Sequence, residues 1–134
     1  MADTEFPSKV DWREMREFTG ADLTRSFVLF WELESETLMV DIDLLLTPEH
    51  PFYEEPRPSE KACIRPAVIE FPYCDRVESG DLPADTDPAT MITKLGHGAI
   101  EGLRRLVDGR YEIRGEFGVV MLSAERPILR LKGP

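Results

Sequence analysis

The sequence predicts an α+β fold that is mainly antiparallel β-sheet, with about six strands and two or three short helices. Three observations support this class. Residues 26–34 and 37–46 alternate apolar and polar side chains on either side of a polar turn, residues 62–71 form a further β-rich run, and residues 110–132 hold three short ones. These runs predict a hairpin, a third strand and a C-terminal meander.

Length and composition predict one domain, residues 1–134, in a water-soluble protein. A chain of 134 residues and 15.3 kDa is long enough to bury a core without disulfides or metal. No apolar run approaches the roughly 18 residues that span a bilayer, so no membrane partner is expected. The N-terminal ten residues place acids where a secretory signal carries positive charge, which predicts a cytoplasmic location. Cys63 and Cys74 are accordingly predicted to be free thiols.

The first predicted element is a short helix at about 9–18. Ser8 and Asp11 have the spacing of a capping box in its Asp-bearing form. Apolar side chains follow at Met15 and Phe18, and a Thr-Gly pair comes next. This pattern is typical of one short helix that is capped at its start and stopped by glycine.

The register of the predicted hairpin follows from its turn. With Ser35 and Glu36 at the centre, the numbers of paired residues add to 71. Three apolar pairs then share one face: Trp31 with Val40, Leu29 with Ile42, and Phe27 with Leu44. A slip of one residue would turn charged side chains toward the core, so this register is favoured.

Prolines set the boundaries of the next segments. Four prolines between residues 47 and 61 predict a stiff loop, because each removes a backbone donor and extends the residue before it. Pro66 places the strand 62–71 at a sheet edge or at a bulge. Residues 72–87 are predicted to form an acidic surface loop.

Two segments after this loop have helical features. Asp87 before Pro88 predicts an N-capped helix over 88–95. Residues 99–107 fit either a helix or a strand, because glycines within and beside the segment weaken the helical pattern. The meander over 110–132 completes the fold.

The net charge of −10 is distributed unevenly. Residues 1–61 hold 15 acidic and 6 basic residues, whereas residues 94–134 hold 5 acidic and 8 basic residues. The acidic half repels phosphate backbones, so no nucleic-acid partner is expected, and a macromolecular partner is predicted to be cationic. The basic residues near the C-terminus are expected to pair with the acidic half.

The sequence predicts that the outer face of hairpin 26–46 binds this partner. Five side chains are assigned to the interface: Phe30, Glu32, Met39, Asp41 and Asp43. In the predicted register Phe30 lies opposite Asp41, Val28 opposite Asp43, and Glu32 opposite Met39. Apolar side chains supply buried area and carboxylates orient the partner, which is typical of a non-enzymatic protein-binding module.

Three alternatives remain open. Asp41 and Asp43 with His50 could ligate a divalent metal, and the carboxylates beside His50 would raise its pKa. His97, which lies between two glycines, could serve a ligand pocket or a small hydrolase, and so could His50 with the Asp pair. The outer face could instead form a homodimer. No cofactor motif is present, so no cofactor is expected.

Overall fold

The computed structural model describes residues 9–80, 82–83 and 85–132, and these form a mainly antiparallel β-structure. Its strands are β1 (Val10–Asp11), β2 (Ala21–Glu34), β3 (Thr37–Leu46), β4 (Cys63–Phe71), β5 (Arg76–Ser79), β6 (Gly98–Arg105), β7 (Tyr111–Gly115), β8 (Gly118–Ser123) and β9 (Ile128–Leu131). One helix, α1 (Pro88–Ile92), and two 3₁₀ turns, Trp12–Glu14 and Arg16–Phe18, complete the described elements. The predicted class is confirmed, but the strand number of about six is wrong, since the described residues form nine strands.

The strands form one continuous antiparallel order, β5-β8-β7-β6-β2-β3-β4-β9, and β1 pairs with β6. A single cluster of buried apolar side chains includes members of strands from both ends of this order, such as Ile69, Phe71, Val77 and Leu122. The assignment of residues 1–134 to one domain stays a prediction. Among the described residues, no helix has the length and apolar character needed to cross a membrane.

The predicted helix at 9–18 is replaced by β1 and the two 3₁₀ turns. Met15 separates the turns because its backbone is extended, at φ −93° and ψ 125°. Trp12, Met15 and Phe18 are all buried, and their spacing of three residues matches the three residues per turn of a 3₁₀ helix. The capping box joins Asp11 and Glu14, whereas Ser8 lies outside the described residues.

The predicted helix at 88–95 exists in a shorter form. Asp87 is its N-cap, since its side chain accepts the backbone N–H of Thr90 at 3.1 Å, and Pro88 occupies the first turn as predicted. The regular helix ends at Ile92, and a tighter turn continues to Leu95.

The segment that fitted either helix or strand is strand β6. It lies between β2 and β7 and pairs with both of them. A register shift falls between Ile100 and Gly102, so glycine occupies an irregular point of the strand, where its missing side chain costs little.

The C-terminal meander is only partly confirmed. β7 and β8 form a hairpin, but β9 crosses the molecule to pair with β4. β4 therefore has a partner on each side over residues 67–70, so the prediction that it is an edge strand is wrong, although Pro66 itself has a ladder partner only on the β3 side. The proline is tolerated because it lies beyond the Ala67 and Leu131 pair, where the ladder between β4 and β9 ends.

The hairpin register is confirmed near the turn and wrong farther along β2. Trp31 pairs with Val40 as predicted, but Val28 pairs with Ile42. Leu29 is an extra residue of β2 between this pair and the pair of Phe30 with Asp41. A second shift separates the pairs Asp22 with Leu45 and Phe27 with Asp43. The predicted pairs of Leu29 with Ile42 and Phe27 with Leu44 therefore do not form.

Candidate functional site

The side chains of β3 divide between the core and the opposite surface. Leu38, Val40, Ile42 and Leu44 are almost completely buried. Their neighbours Met39, Asp41 and Asp43 point the other way, since successive side chains of a strand alternate. We call the surface of β2, β3, β4 and β9 that carries Met39, Asp41 and Asp43 the outer face.

The bulge in β2 adds apolar side chains to the outer face. Val28 is buried and pairs with Ile42, whereas Phe27, Leu29 and Phe30 are 47%, 45% and 47% exposed. The extra residue at Leu29 changes which side chains face the core, because a shift of one residue exchanges the two faces of a strand. We call Phe27, Leu29 and Phe30 the bulge patch.

Asp41 is buried rather than available to a partner. It is 6% exposed, and its Oδ1 lies 2.5 Å from Nζ of Lys132. Nearby, Oε1 of Glu70 accepts a hydrogen bond of 2.9 Å from Arg130. The basic end of the chain therefore neutralises two carboxylates of this sheet, as the charge distribution predicts.

Three other carboxylates beside the bulge patch have no ion pair with any described residue. They are Glu32, Glu34 and Asp43. Glu32 lies opposite Met39 as predicted, but Asp43 lies opposite Phe27 and not opposite Val28. The bulge patch is thus bordered by three carboxylates without an ion pair in the described part of the chain, and by one exposed cation, Arg25, two residues before Phe27 on β2.

The alternative of a metal site at Asp41, Asp43 and His50 has no support among the described residues. Nδ1 of His50 accepts the backbone N–H of Phe52 at 3.0 Å, in the loop that follows β3. Partial burial lowers the pKa of His50, so the predicted upward shift is wrong. Across the described residues, no group of three or more His, Cys, Asp or Glu side chains is placed to hold a metal ion.

His97 is an exposed residue of the loop between α1 and β6. The glycines on either side have structural roles. The carbonyl of Gly96 accepts the indole N–H of Trp31 at 2.7 Å. At Gly98, φ is +130°, and an added Cβ would lie 2.5 Å from the Glu116 carboxylate. The unusual backbone around His97 is therefore explained without a ligand.

Phe27 and Leu29 are the surface residues that the sequence-based register assigned to the core. A signal for them is present in the chain, because residues 27–30 are four consecutive apolar side chains. Strict alternation cannot bury all four on one side of a strand, so such a run is compatible with a bulge or with an apolar surface.

Comparison with known proteins assigns the chain to no family. No protein-family model matches it, and neither a curated protein nor a solved structure matches it significantly. The chemistry of the outer face is therefore the basis for a functional proposal.

Proposed function

We propose that this protein is a non-enzymatic binding module that engages a cationic protein through the outer face of the hairpin formed by β2 and β3. The observation that supports the proposal is the bulge patch, three half-exposed apolar side chains within four residues of one strand. Exposed apolar clusters that are bordered by charge are typical of protein-binding surfaces. A cytoplasmic location is part of the proposal.

The charges around the patch favour a basic partner. Glu32, Glu34 and Asp43 lie beside it without ion pairs among the described residues, and the chain carries a net charge of −10. Such a surface attracts a cationic protein before contact, and the apolar side chains then supply buried area. Asp41 has a different role in the proposal, since it holds Lys132 and so anchors β9 against the sheet.

A homodimer through the same face has less support. A two-fold interface brings the same patch of both copies together. The border of Glu32, Glu34 and Asp43 on one copy would then lie at the same interface as the equally acidic border of the other, and like charges at close range disfavour association. A cationic partner avoids this repulsion.

Site-specific photocrosslinking in the cells that naturally make the protein tests the proposal. A photoreactive phenylalanine analogue replaces Leu29 in one variant and Val119, a 40% exposed residue of β8, in the matched control. We expect an adduct with one basic protein at position 29 and none with that protein at position 119. No adduct at position 29, an adduct with a second copy of the chain, or an acidic partner would each overturn the proposal.

Purified components then separate the apolar and charged contributions. Phe30→Ser is expected to weaken binding at every salt concentration, because it removes buried apolar area. Glu32→Gln with Asp43→Asn is expected to slow association and to reduce its dependence on salt. Glu55→Gln with Glu125→Gln, which removes two exposed carboxylates from the loops after β3 and β8, is the charge-matched control. Equal effects of the control and the double variant would contradict the assigned surface.

A further inference from the structure

Two phenylalanines of β2 each lie opposite an aspartate of β3 on the outer face. Phe30 pairs with Asp41, and Phe27 pairs with Asp43. Directly opposite residues of antiparallel strands have Cβ atoms about 4.5–5.5 Å apart, so each ring lies beside a carboxylate. Both rings are 47% exposed and therefore accessible from solvent. A ring face and a carboxylate both attract an organic cation, because both are negative.

The first of these pairs already holds a cation of the chain. Oδ1 of Asp41 lies 2.5 Å from Nζ of Lys132. The aspartate side chain is 8% exposed, whereas the lysine side chain is 47% exposed. The acid is thus fixed within the sheet, and the base reaches it from the solvent side. The outer face therefore binds a cationic side chain at one of its two phenylalanine–aspartate pairs.

The second pair has the same chemistry without a cation from the described part of the chain. Asp43 is partly exposed, and its carboxylate has no ion pair or hydrogen bond with a described residue. Lys132 donates its backbone N–H to the carbonyl of Pro66, which is the β4 neighbour of Asp43. Its ammonium group nevertheless pairs with Asp41. The Asp43 carboxylate is thus left for a cation from elsewhere.

Arg25, the exposed cation two residues before Phe27, does not fill the second pair either. It forms no ion pair with Asp43 or with any other described residue. It lines a cleft of about 220 Å³ together with Tyr53 and Lys61, and neither Phe27 nor Asp43 lines that cleft. The ring and the carboxylate of the second pair are therefore both open to a cation from another molecule.

A third place in the molecule shows which cation suits a ring and a carboxylate together. The guanidinium carbon of Arg13 lies 4.5 Å from the centroid of the Trp12 ring, and the same guanidinium pairs with Asp11 at 3.2 Å. A guanidinium makes both contacts because it is planar, so it stacks on a ring while its N–H groups bond to a carboxylate. A lysine ammonium group is a point charge and has no flat surface that stacks.

We propose that Phe27 and Asp43 bind one arginine side chain of the cationic protein partner. The guanidinium stacks on the exposed ring of Phe27 and donates hydrogen bonds to the Asp43 carboxylate, while Leu29 supplies adjoining apolar area. This inference rests on the proposed function, since it identifies the side chain that the partner places against the bulge patch. Asp41 and Asp43 then have different roles, because Asp41 binds a cation of its own chain and Asp43 binds one of the partner.

Nuclear magnetic resonance with three blocked amino acids tests the arginine site without the partner. The full chain is titrated at low salt with the N-acetyl, N-methylamide derivatives of arginine, lysine and citrulline, and the backbone amide signals of Phe27 and Asp43 are followed. We expect the arginine derivative to shift these signals saturably, with a Kd of roughly tens of millimolar. The lysine derivative is expected to bind at least about threefold more weakly. Citrulline has the shape of arginine without its charge and is expected to cause no saturable shift.

Conservative variants separate the ring from the carboxylate. Phe27→Leu keeps apolar area but removes the ring, and Asp43→Asn keeps the shape but removes the charge. Each is expected to weaken binding of the arginine derivative by about threefold or more. Phe52→Leu and Asp75→Asn are the matched controls, because both residues are exposed and lie in loops outside the outer face. The controls should bind like the original protein, and an unchanged Trp31 indole signal confirms that each variant is folded.

The proposal is overturned if the arginine derivative causes no saturable shift, or if the lysine or citrulline derivative binds as tightly. It is also overturned if Phe27→Leu and Asp43→Asn bind like their controls. Because the titration uses no partner, its outcome is separate from that of crosslinking at position 29. An adduct there with a failed titration would support the binding module and overturn the arginine site. A successful titration without an adduct would support the arginine site and overturn the binding module.

Discussion

Replacement of Ser26 by alanine tests how β2 keeps its irregular register. Ser26 is completely buried, and its hydroxyl donates to the carbonyl of Asp22 at 2.8 Å. The same hydroxyl accepts the backbone N–H of Leu45 at 3.0 Å. These bonds lie between the ladder pairs of Asp22 with Leu45 and of Phe27 with Asp43. In this interval β2 has more residues than β3. One side chain thus satisfies backbone groups that the shifted ladder leaves unpaired, and it supports the stretch from which Phe27 points outward.

The expected loss of stability in Ser26→Ala follows from the two backbone groups that lose their hydrogen-bond partner. Alanine leaves the amide of Leu45 and the carbonyl of Asp22 without this partner in a buried region. Such groups cost about 1–3 kcal/mol each when they are fully buried. Because the bond to the Asp22 carbonyl is only partly buried, the free energy of unfolding should fall by about 2–4 kcal/mol in total. The entropy of unfolding is about 2.1 cal/mol/K per residue, or about 0.28 kcal/mol/K for 134 residues. The melting temperature should therefore fall by about 7–14 °C.

Urea denaturation with thermal melting measures this change. Ser79→Ala is the matched control, because Ser79 also lies in a strand and its hydroxyl has no hydrogen bond with a described residue. The control should stay within about 0.5 kcal/mol of the original protein. Amide exchange at Leu45 should accelerate in Ser26→Ala alone. A loss of stability no greater than that of the control would refute the role assigned to the Ser26 hydroxyl.

Two further predictions concern backbone packing and a buried thiol. Gly20→Ala should lower the free energy of unfolding by about 2–5 kcal/mol, because the positive φ of Gly20 and a backbone clash with His50 act together. Gly102→Ala is the control, since an added Cβ there meets open space, and it should change the free energy of unfolding by less than about 0.5 kcal/mol. Equal losses for the two variants in urea denaturation would contradict this account. Burial raises the pKa of Cys74 from 9.0 to about 11, so stability should fall as pH rises from about 9 to about 11, where the unfolded chain releases this proton first. Alkylation of Cys74 by iodoacetamide at pH 8 should accordingly be slow in the folded protein and fast in urea, and rapid alkylation of the folded protein would count against burial of the thiol.

Local sequence signals predicted the elements whose interactions are also local. The pair of Trp31 with Val40 follows from alternation around a two-residue turn, and the start of α1 follows from Asp87 and Pro88. The short strands β1 and β5 were missed, because two to four residues carry too little pattern to reveal pairing with distant strands. The helix predicted over residues 88–95 ends early, at Ile92, for a related reason. Tertiary packing, and not intrinsic propensity, sets the end of so short a helix.

The candidate surface was predicted in part. Phe30, Glu32 and Met39 occupy the expected places, whereas Asp41 is buried against Lys132 and Asp43 lies beside Phe27. The charge distribution of the sequence predicted that basic residues near the C-terminus pair with acidic residues, but it could not identify Asp41 as the partner of Lys132. That choice depends on β9 crossing to β4, which no local pattern encodes.

The sequence by itself determined the antiparallel class, the position of the hairpin turn and the acidic character of the chain, because alternation, turn residues and charge act over a few neighbouring residues. Tertiary structure alone decided which side of β2 faces solvent. The run of residues 27–30 is apolar throughout, so local hydrophobicity cannot choose which of these side chains to bury. Tertiary packing buries Val28, because the bulge at Leu29 and the Ser26 hydroxyl allow β2 to pair with both β3 and β6.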